Sequence, residues 1–391
     1  MSPHPLRNKA IIAGVGESEI GKVPHMTGLG LNAQAARRAL DDAGIAMDEV
    51  DGLLTAYSLS EPYPMLGSVL AEYLGLRPRY GASIITGGAT PAVMLSHAAQ
   101  AVATGQAEVV LVTAGENRAT GLSRDRAVQA LSAFGHPYFE DPYGPHIPGF
   151  YAMIARRYMH DYGVAREDLA RVSVQTRAHA CRHPNAHMRV PITIEDVLRS
   201  KPIAEPLNLL DCCLISDAAG AFVVTSAERA GDLKAKPAYL LGAGEMHTHE
   251  HILAAPSLIE FGAKQSAEQA YRMAGLGPGD VDFAELYDCF SVVPIIEAEE
   301  VGLAAPGEGA ALWRDGRAAL EGTLPINTHG GMLSHAHAGA AGGLFGIVEA
   351  VRQLRGAEGE RQVKRHEVAL VHNEGGILSS HATVILGNQP V

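Results

Sequence analysis

The sequence predicts an α/β fold built from two similar halves, each with the element order βαβαβαββ. Short apolar runs typical of buried strands alternate with segments of helical period along the chain. Two pairs of segments repeat: Ala107–Asn117 (AEVVLVTAGEN) matches His366–Gly376 (HEVALVHNEGG), and Val50–Leu54 corresponds to Val281–Glu285. An ordered internal repeat of this kind indicates two fused units of the same design.

In the first half, apolar runs predict strands and periodic segments predict helices. The predicted strands are Lys9–Gly14, Val50–Ala56, Ala82–Thr86, Ala107–Ala114 and Ala218–Ser226. The predicted helices are Gly28–Ala43, Pro64–Leu74 and Pro91–Thr104. Gly14-Val15-Gly16 follows the first strand, but Glu19 stands where a dinucleotide-binding motif needs its third glycine, so no nicotinamide site is expected.

The second half repeats this order. The predicted strands are Pro237–Gly242, Val281–Tyr287, Leu324–Asn327, Glu367–His372 and Ala382–Gly387. The predicted helices are Lys264–Ala274, Phe290–Glu299 and Gly343–Leu354. Sheets of such units carry helices on both faces and bind ligands beyond the carboxyl ends of their strands.

Residues 118–206 interrupt the pattern and predict an insertion without strand alternation, with helices at Gly149–Tyr162 and Arg166–Ala180. We therefore expect an N-terminal half at residues 1–230, which carries this insertion, and a C-terminal half at residues 231–391. The aromatic residues of the insertion favour a role in shaping a substrate pocket. His146 and Tyr151 are the candidates for contact with a bound substrate or for simple packing.

The composition and charge exclude several classes of function. The chain has 391 residues and a net charge of −12, which argues against nucleic acid or an anionic membrane as its main partner. The sequence has four cysteines, no CxxC pair, no signal-peptide pattern and no bilayer-length apolar run. We expect a cytoplasmic protein without a bound metal or cofactor. The alternating histidines of His247–His251 are better explained by a loop at a pocket rim than by a metal site.

One stretch, Asn327–Gly342, combines an asparagine, three histidines and a glycine pair just before a helix. Glycine lets backbone N–H groups approach a ligand, and a helix N-terminus favours negative charge. Histidine can donate, accept or move a proton near neutral pH. These are the parts of an oxyanion-stabilising site, although a polar loop with surface histidines would show the same residues.

Four segments give the chain a resemblance to the thiolase superfamily. Glu285–Phe290 (ELYDCF) is similar to the Glu-Leu-His-Asp-Cys-Phe of the sterol-carrier-protein type-2 and lipid-transfer-protein thiolase-like branch. Asn327–Ala338 resembles its Asn-Pro-Ser-Gly-Gly…Gly-His-Pro, and Leu209–Ala219 recurs there with little change. Asn373–Gly376 stands at its Cys-x-Gly-Gly. The resemblance implies a thiolase fold, five layers in the order αβαβα with a loop-domain insertion, and a homodimer.

The resemblance also implies roles for individual residues. His337 matches the catalytic histidine, and Tyr287 stands where the family has an asparagine or histidine beside the oxyanion site. Asn327 belongs to the motif that shapes the turn. The remaining pocket or oxyanion candidates are His329, Gly330, His372, Asn373, Gly375 and Gly88.

Both thiols of the thiolase reaction are missing. Gly88 aligns with the nucleophilic cysteine and Asn373 with the second cysteine, and there is no cysteine before Cys181. Glycine cannot form an acyl-enzyme. Cys289 and the pair Cys212-Cys213 are weaker candidates for a replacement, because buried cysteines usually behave as small hydrophobic residues.

A reaction through a thioester enolate without an acyl-enzyme fits what remains. The leading expectation is retro-aldol cleavage of a β-hydroxyacyl-CoA, with coenzyme A as substrate carrier, His337 at the thioester oxygen and Tyr287 in proton transfer. The alternatives are a thiolase proper, or a non-catalytic acyl-CoA-binding or scaffolding subunit. Relatives with the Tyr-Asp-Cys-Phe variant work with a small OB-fold and zinc-ribbon protein, so a separate partner of that kind is expected. The acyl chain, the direction of the reaction and activity without a partner stay open.

Overall fold

The structure, a computed structural model, describes residues 4–123, 125–126, 134–144 and 146–391. Nine strands form one mixed sheet in the order β3-β2-β4-β7-β1-β8-β11-β10-β9, and β5 pairs with β6 in a small hairpin. The strands are β1 Ala10–Glu17, β2 Gly52–Thr55, β3 Tyr80–Ser83, β4 Val109–Asn117, β5 Pro202–Ala204, β6 Leu207–Asn208, β7 Asp217–Ser226, β8 Ala238–His247, β9 Phe283–Leu286, β10 Val368–Gly375 and β11 Ser380–Gly387.

Helices lie on the outer faces of the sheet and between the strands of the two halves. They are α1 Gly28–Ala43, α2 Leu66–Leu74, α3 Thr90–Ala103, α4 Ile147–Tyr162, α5 Arg166–Arg182, α6 Ile194–Arg199, α7 Ala263–Ala274, α8 Val293–Glu300, α9 Ala311–Arg314 and α10 Gly342–Leu354. No helix in the described part of the chain has both the length and the apolar character that a membrane crossing requires.

The two halves join where β1 pairs with β8, through Ile11 with Tyr239 and Ile12 with Ala238. Helices α3 and α10 pack against each other and against strands of both halves. Helix α1 covers the outer face of the first half, and α7 covers that of the second. The order is therefore helix, strands of the first half, central helices, strands of the second half, helix, which confirms the predicted five-layered α/β arrangement. The division at residue 230 stays a prediction.

Glycines at equivalent places let the outer helices lie directly on the first strand of each half. A Cβ atom on Gly14 or Gly16 would overlap backbone atoms of α1, and one on Gly242 or Gly244 would overlap backbone atoms of α7. The Gly-Val-Gly that resembles part of a nucleotide-binding motif is thus explained by helix packing. The same Gly-x-Gly spacing in β8 extends the internal repeat of the sequence.

The predicted strand Leu324–Asn327 is wrong in its extent, because only Ile326 forms a bridge, parallel to Ala284. Ala284 donates to the Pro325 carbonyl at 2.9 Å and accepts from the Asn327 N–H at 3.0 Å. Asn327 then takes a left-handed conformation with φ 55°, which turns the chain out of the sheet. Gly331–His335 follows as one π-helical turn, and α10 begins at Gly342.

The insertion keeps both predicted helices, as α4 and α5, and adds α6 with the β5–β6 hairpin. Tyr151 and Tyr158 of α4 are buried against the second half. Gly330 packs against Ala180 of α5, so the insertion is in contact with the turn that follows Asn327.

Replacing Gly14 by Ala should destabilise the fold, because the new methyl group would collide with the Ala39 carbonyl of α1. Overpacking of this kind commonly costs about 1–3 kcal/mol. Chemical denaturation would measure the loss. Gly279→Ala is the matched control, since a Cβ there meets nothing within 4 Å, and it should stay within about 0.5 kcal/mol of the parent protein. Equal stability of the two variants would contradict the packing argument.

Candidate active site

A cavity of about 330 Å³ lies beyond the carboxyl ends of the strands. Segments that follow β3, β4, β9 and the end of β10 meet there, and α4 of the insertion covers them. Most of its wall is apolar, with residues such as Ile147, Leu209 and Phe290. A few polar groups converge on one end, which is the usual construction of a small-molecule site.

Tyr287 occupies the space that a side chain at residue 88, the predicted counterpart of the thiolase nucleophile, would fill. A Cβ atom built on Gly88 would overlap the hydroxyl and ring of Tyr287 and the carbonyl oxygen of Glu374. Gly87, at φ 60°, brings the same loop against Gly375 and Gly376. The structure thus explains the glycine at residue 88, since no larger residue fits while the phenol is present.

The Tyr287 side chain is buried, and burial with the nearby Cys289 and Glu374 raises its pKa well above the ordinary value. The phenol therefore stays protonated and acts as a hydrogen-bond donor at neutral pH. Its backbone is held by the carboxylate of Glu297, which accepts from the Tyr287 N–H at 2.8 Å. Within the described residues, the hydroxyl has no hydrogen-bond partner, so it can donate to a ligand.

Glu374 is a buried carboxyl group on the cavity wall. Its Oε1 accepts from the Tyr151 hydroxyl at 2.6 Å and from the Cys289 thiol at 3.2 Å, and its Oε2 accepts from the Leu378 N–H at 3.2 Å. Burial raises the pKa of Glu374 to about 7, although these donors favour its ionised form. A carboxyl group that titrates near neutral pH suits general acid–base catalysis.

His337 lies on the same wall, with Nδ1 at 3.2 Å from both the Cys213 thiol and the Leu214 carbonyl oxygen. Burial and the nearby Arg118 lower the pKa of His337 to about 3, so the imidazole is neutral. The Leu214 carbonyl can only accept, so a hydrogen bond to it places the ring proton on Nδ1. If instead the Cys213 thiol donates to Nδ1, the ring proton lies on Nε2, which can donate to a bound oxyanion.

Arg118 and Tyr57 also line the cavity and were not predicted from the sequence. Arg118 is almost fully buried and lies 3.9 Å from Glu116, a long ion pair that leaves part of its charge for the cavity. The internal repeat gives an indication of its place. Asn117 matches Gly376, which lines the cavity, so the residue after Asn117 could be expected near the cavity as well.

The residues of the predicted turn divide into two groups. His337 reaches the cavity, whereas Asn327, His329 and Gly330 lie behind its wall and shape it. Asn327 Oδ1 accepts from the Leu286 N–H at 2.7 Å, next to Tyr287. His329 donates to Glu285 at 2.9 Å, and both are buried.

The other predicted pocket residues also lie in different places. Gly375 and Tyr151 line the cavity together with Gly88. Asn373 is buried behind the cavity, where its amide contacts the Gly343 carbonyl at 3.4 Å. His372 shares a face of β10 with Glu374 but does not line the cavity, and it is bound to Thr383 and His381, at 2.8 and 3.1 Å. His146 is exposed at the start of α4 and does not line the cavity.

The cysteines near the cavity are poor nucleophiles, because only the thiolate reacts readily. Burial raises the pKa of Cys213 to about 12, and it raises the values of Cys212 and Cys289 further still. All four cysteines are free. The three thiols that line the cavity, those of Cys212, Cys213 and Cys289, are therefore protonated at neutral pH and are poorly suited to replace a nucleophile at residue 88.

The histidines of His247–His251 do not converge on an ion. His247 binds Ser380, His249 binds Thr248 and the Ile377 carbonyl, and His251 contacts the Phe134 carbonyl. Their separate partners support the interpretation of this segment as a loop.

Comparison with known proteins agrees with this site. Residues 10–228 match the family described as Thiolase, N-terminal domain, and residues 244–388 match Thiolase C-terminal domain-like. The chain belongs to the thiolase superfamily. The predicted assignment to the branch that resembles sterol carrier protein 2 is confirmed as well.

Three relatives of this thiolase-superfamily protein bear on its chemistry. It is 38% identical to the 17-hydroxy-3-oxo-4-pregnene-20-carboxyl-CoA lyase of Mycobacterium tuberculosis, covering 90% of this chain and 92% of the relative. It is 31% identical to an acetyl-CoA acetyltransferase of Methanothermobacter thermautotrophicus, covering 95% and 97%. The solved structure of an Ltp2-ChsH2(DUF35) aldolase has a TM-score of 0.85 and 36% identity, covering 98% of both chains. The relatives are thus both lyases and acyltransferases.

In the native protein, Cys212, Cys213 and Cys289 should resist iodoacetamide at pH 7.5, because their raised pKa values keep them protonated. We expect labelling at least about tenfold slower than that of the same thiols in the denatured protein. Peptide mass spectrometry would measure each site. Rapid labelling of one cavity thiol, blocked by an acyl-CoA, would identify a nucleophile and contradict this assignment.

Proposed function

We propose that this protein cleaves a β-hydroxyacyl-CoA by a retro-aldol reaction, without forming an acyl-enzyme. The observation that carries the proposal is the replacement of the thiolase nucleophile by glycine, with the Tyr287 phenol in the vacated space. His337, the predicted oxyanion histidine, lines the same cavity as Tyr287. A thioester enolate can be stabilised by these groups, whereas an acyl-enzyme has no atom to form on.

The reaction needs a base, a place for negative charge and the return of one proton. Glu374 accepts the proton of the β-hydroxyl group, the Cα–Cβ bond breaks, and its electron pair passes to the thioester as an enolate. The ketone or aldehyde leaves from the Cβ side. A proton then returns to Cα and completes the acyl-CoA product.

Tyr287 and His337 act on the charge that develops on the thioester oxygen. Both are neutral donors in a buried site, where a preorganised hydrogen bond is worth more than in water. Arg118 adds a positive charge to the same cavity. This assignment gives Tyr287 a donor role, because its raised pKa makes the phenol a poor base.

The cavity supports a bulky acyl group. Apolar side chains of the insertion and of the segment before β7 line it, including Ile147, Pro148, Leu214 and Ile215. The M. tuberculosis relative is named for a steroid acyl-CoA. We therefore propose a polycyclic or similarly bulky apolar acyl-CoA as the substrate.

Two further proposals concern assembly and location. The open edge of the sheet at β3, with exposed Tyr63 and Met65 nearby, supports a homodimer through this edge. Exposed Tyr138, Phe139 and Tyr143, together with the partner named in the Ltp2-ChsH2(DUF35) structure, support a small DUF35-type partner. Free cysteines are in keeping with a cytoplasmic location.

Incubation with β-hydroxyacyl-CoA and β-ketoacyl-CoA esters, with and without free CoA, tests the reaction. Mass spectrometry should detect cleavage of the β-hydroxy esters without free CoA. His337→Ala and Tyr287→Phe should each lower kcat/KM about 10²–10³-fold while binding of the ester, followed by calorimetry, persists. CoA-dependent cleavage of the keto esters would instead indicate a thiolase. Binding without turnover, also after addition of a DUF35-type partner, would indicate a non-catalytic subunit.

The pH dependence separates the base from the donors. Because Glu374 accepts a proton only when ionised, kcat/KM should rise with pH through about 7 and then level off. Glu374→Gln should remove this rise and lower the rate about 10²–10⁴-fold. Glu300→Gln is the control, since burial also raises the pKa of Glu300 to about 7, but it lies outside the cavity. An unchanged rise in the Glu374 variant would exclude it as the base.

A further inference from the structure

Three side chains outside the cavity meet at the back of the turn that carries His337. Glu17 ends β1, His183 follows the last residue of α5, and His335 ends the π-helical turn. One ligand atom of each lies within 4.8 Å of the others, and all three residues are buried. They come from distant parts of the sequence, so their spacing along the chain does not predict a site.

His335 is the residue that most strongly indicates a bound ligand. It has no exposed surface, and neither ring nitrogen has a hydrogen-bond partner among the residues that the structure describes. The Nε2 atom lies 3.5 Å from Glu17 Oε1, beyond a good hydrogen bond. Buried polar atoms without partners are rare in proteins and need an explanation.

The surroundings hold the other two side chains in place for a ligand. Glu17 Oε2 is bound by Arg352 and Asn185, both at 3.2 Å, which leaves Oε1 turned toward His335. His183 Nδ1 accepts a long hydrogen bond, at 3.2 Å, from the Asn185 N–H, and an ion would replace this contact, because a neutral imidazole has one free lone pair. These contacts fix the carboxylate and leave nitrogen atoms with weak or no partners around one point.

We propose that Glu17, His183 and His335 bind one divalent transition-metal ion. Two imidazoles and one carboxylate are a recurrent ligand set for Zn²⁺, with a water in the fourth position. The ion would join the end of β1, the end of the insertion helix α5 and the π-helical turn. This site is independent of the proposed reaction, and it replaces the sequence-based expectation of a chain without a metal.

A bound ion would fix the position of the segment that carries His337. His335 lies two residues before His337, and its carbonyl oxygen accepts from the His187 N–H at 2.9 Å. An ion at His335 would therefore fix the segment that places His337 and tie it to the insertion. The competing explanation is aromatic packing alone, because the His335 ring contacts the rings of His183, His329 and Phe345 at centroid distances of 4.5, 5.0 and 5.3 Å.

The test uses the full-length protein, freed of metal with a chelator and then titrated with Co²⁺ and Zn²⁺. We expect one ion per chain by elemental analysis, and visible d–d bands of Co²⁺ without the near-ultraviolet band that sulfur ligands give. The apparent melting temperature should rise with added Zn²⁺. Glu17→Gln and His335→Phe, which keeps the aromatic packing, should each weaken binding at least about 100-fold.

His249→Phe is the control, because it makes the same substitution at a half-buried histidine outside the cluster. This variant should bind Zn²⁺ like the parent protein. Absence of Co²⁺ bands and of stoichiometric Zn²⁺ in the parent protein would overturn the proposal. So would parent-like binding in both the Glu17 and His335 variants. If His335→Phe does not fold, the Glu17→Gln titration and the parent spectrum still decide.

Discussion

The phenol of Tyr287 and a side chain at residue 88 compete for the same volume, and the cavity is built around that exclusion. By the predicted alignment with thiolases, residue 88 is the place of the nucleophilic cysteine. Here the glycine leaves room for the Tyr287 ring, which brings a neutral hydrogen-bond donor to that place. Because the exclusion is steric, a cysteine at residue 88 would need Tyr287 to be replaced by a smaller residue as well.

The position of Tyr287 depends in turn on buried polar contacts behind the cavity. Asn327 holds the backbone before it, and Glu297 holds its own N–H. Asp288, the next residue, accepts from the Met332 N–H at 2.7 Å and so joins β9 to the π-helical turn. The turn at Asn327–Gly342 therefore serves the site mainly by positioning Tyr287. His337 is the residue of this turn that lines the cavity directly.

The sequence was a good guide to the fold because periodicity and the internal repeat are local signals. It was a weaker guide where the outcome depends on how far along a strand a residue lies. His372 and Glu374 flank Asn373 and share one face of β10, yet only Glu374 lines the cavity, because it lies at the carboxyl end of the strand while His372 is bound further back to Thr383 and His381. Arg118 was missed because the internal repeat marks only its place after the strand, and a single basic residue adds no pattern of its own. The extent of the strand at Ile326 was missed because the left-handed Asn327 interrupts it.

The central layer has a consequence for how the chain folds. Helices α3 and α10 bury their apolar faces against each other and against strands from both halves, in one continuous core. Either half alone would expose the apolar face of its central helix. We therefore expect the two repeated halves to depend on each other for stability, although each contains its own strands and helices.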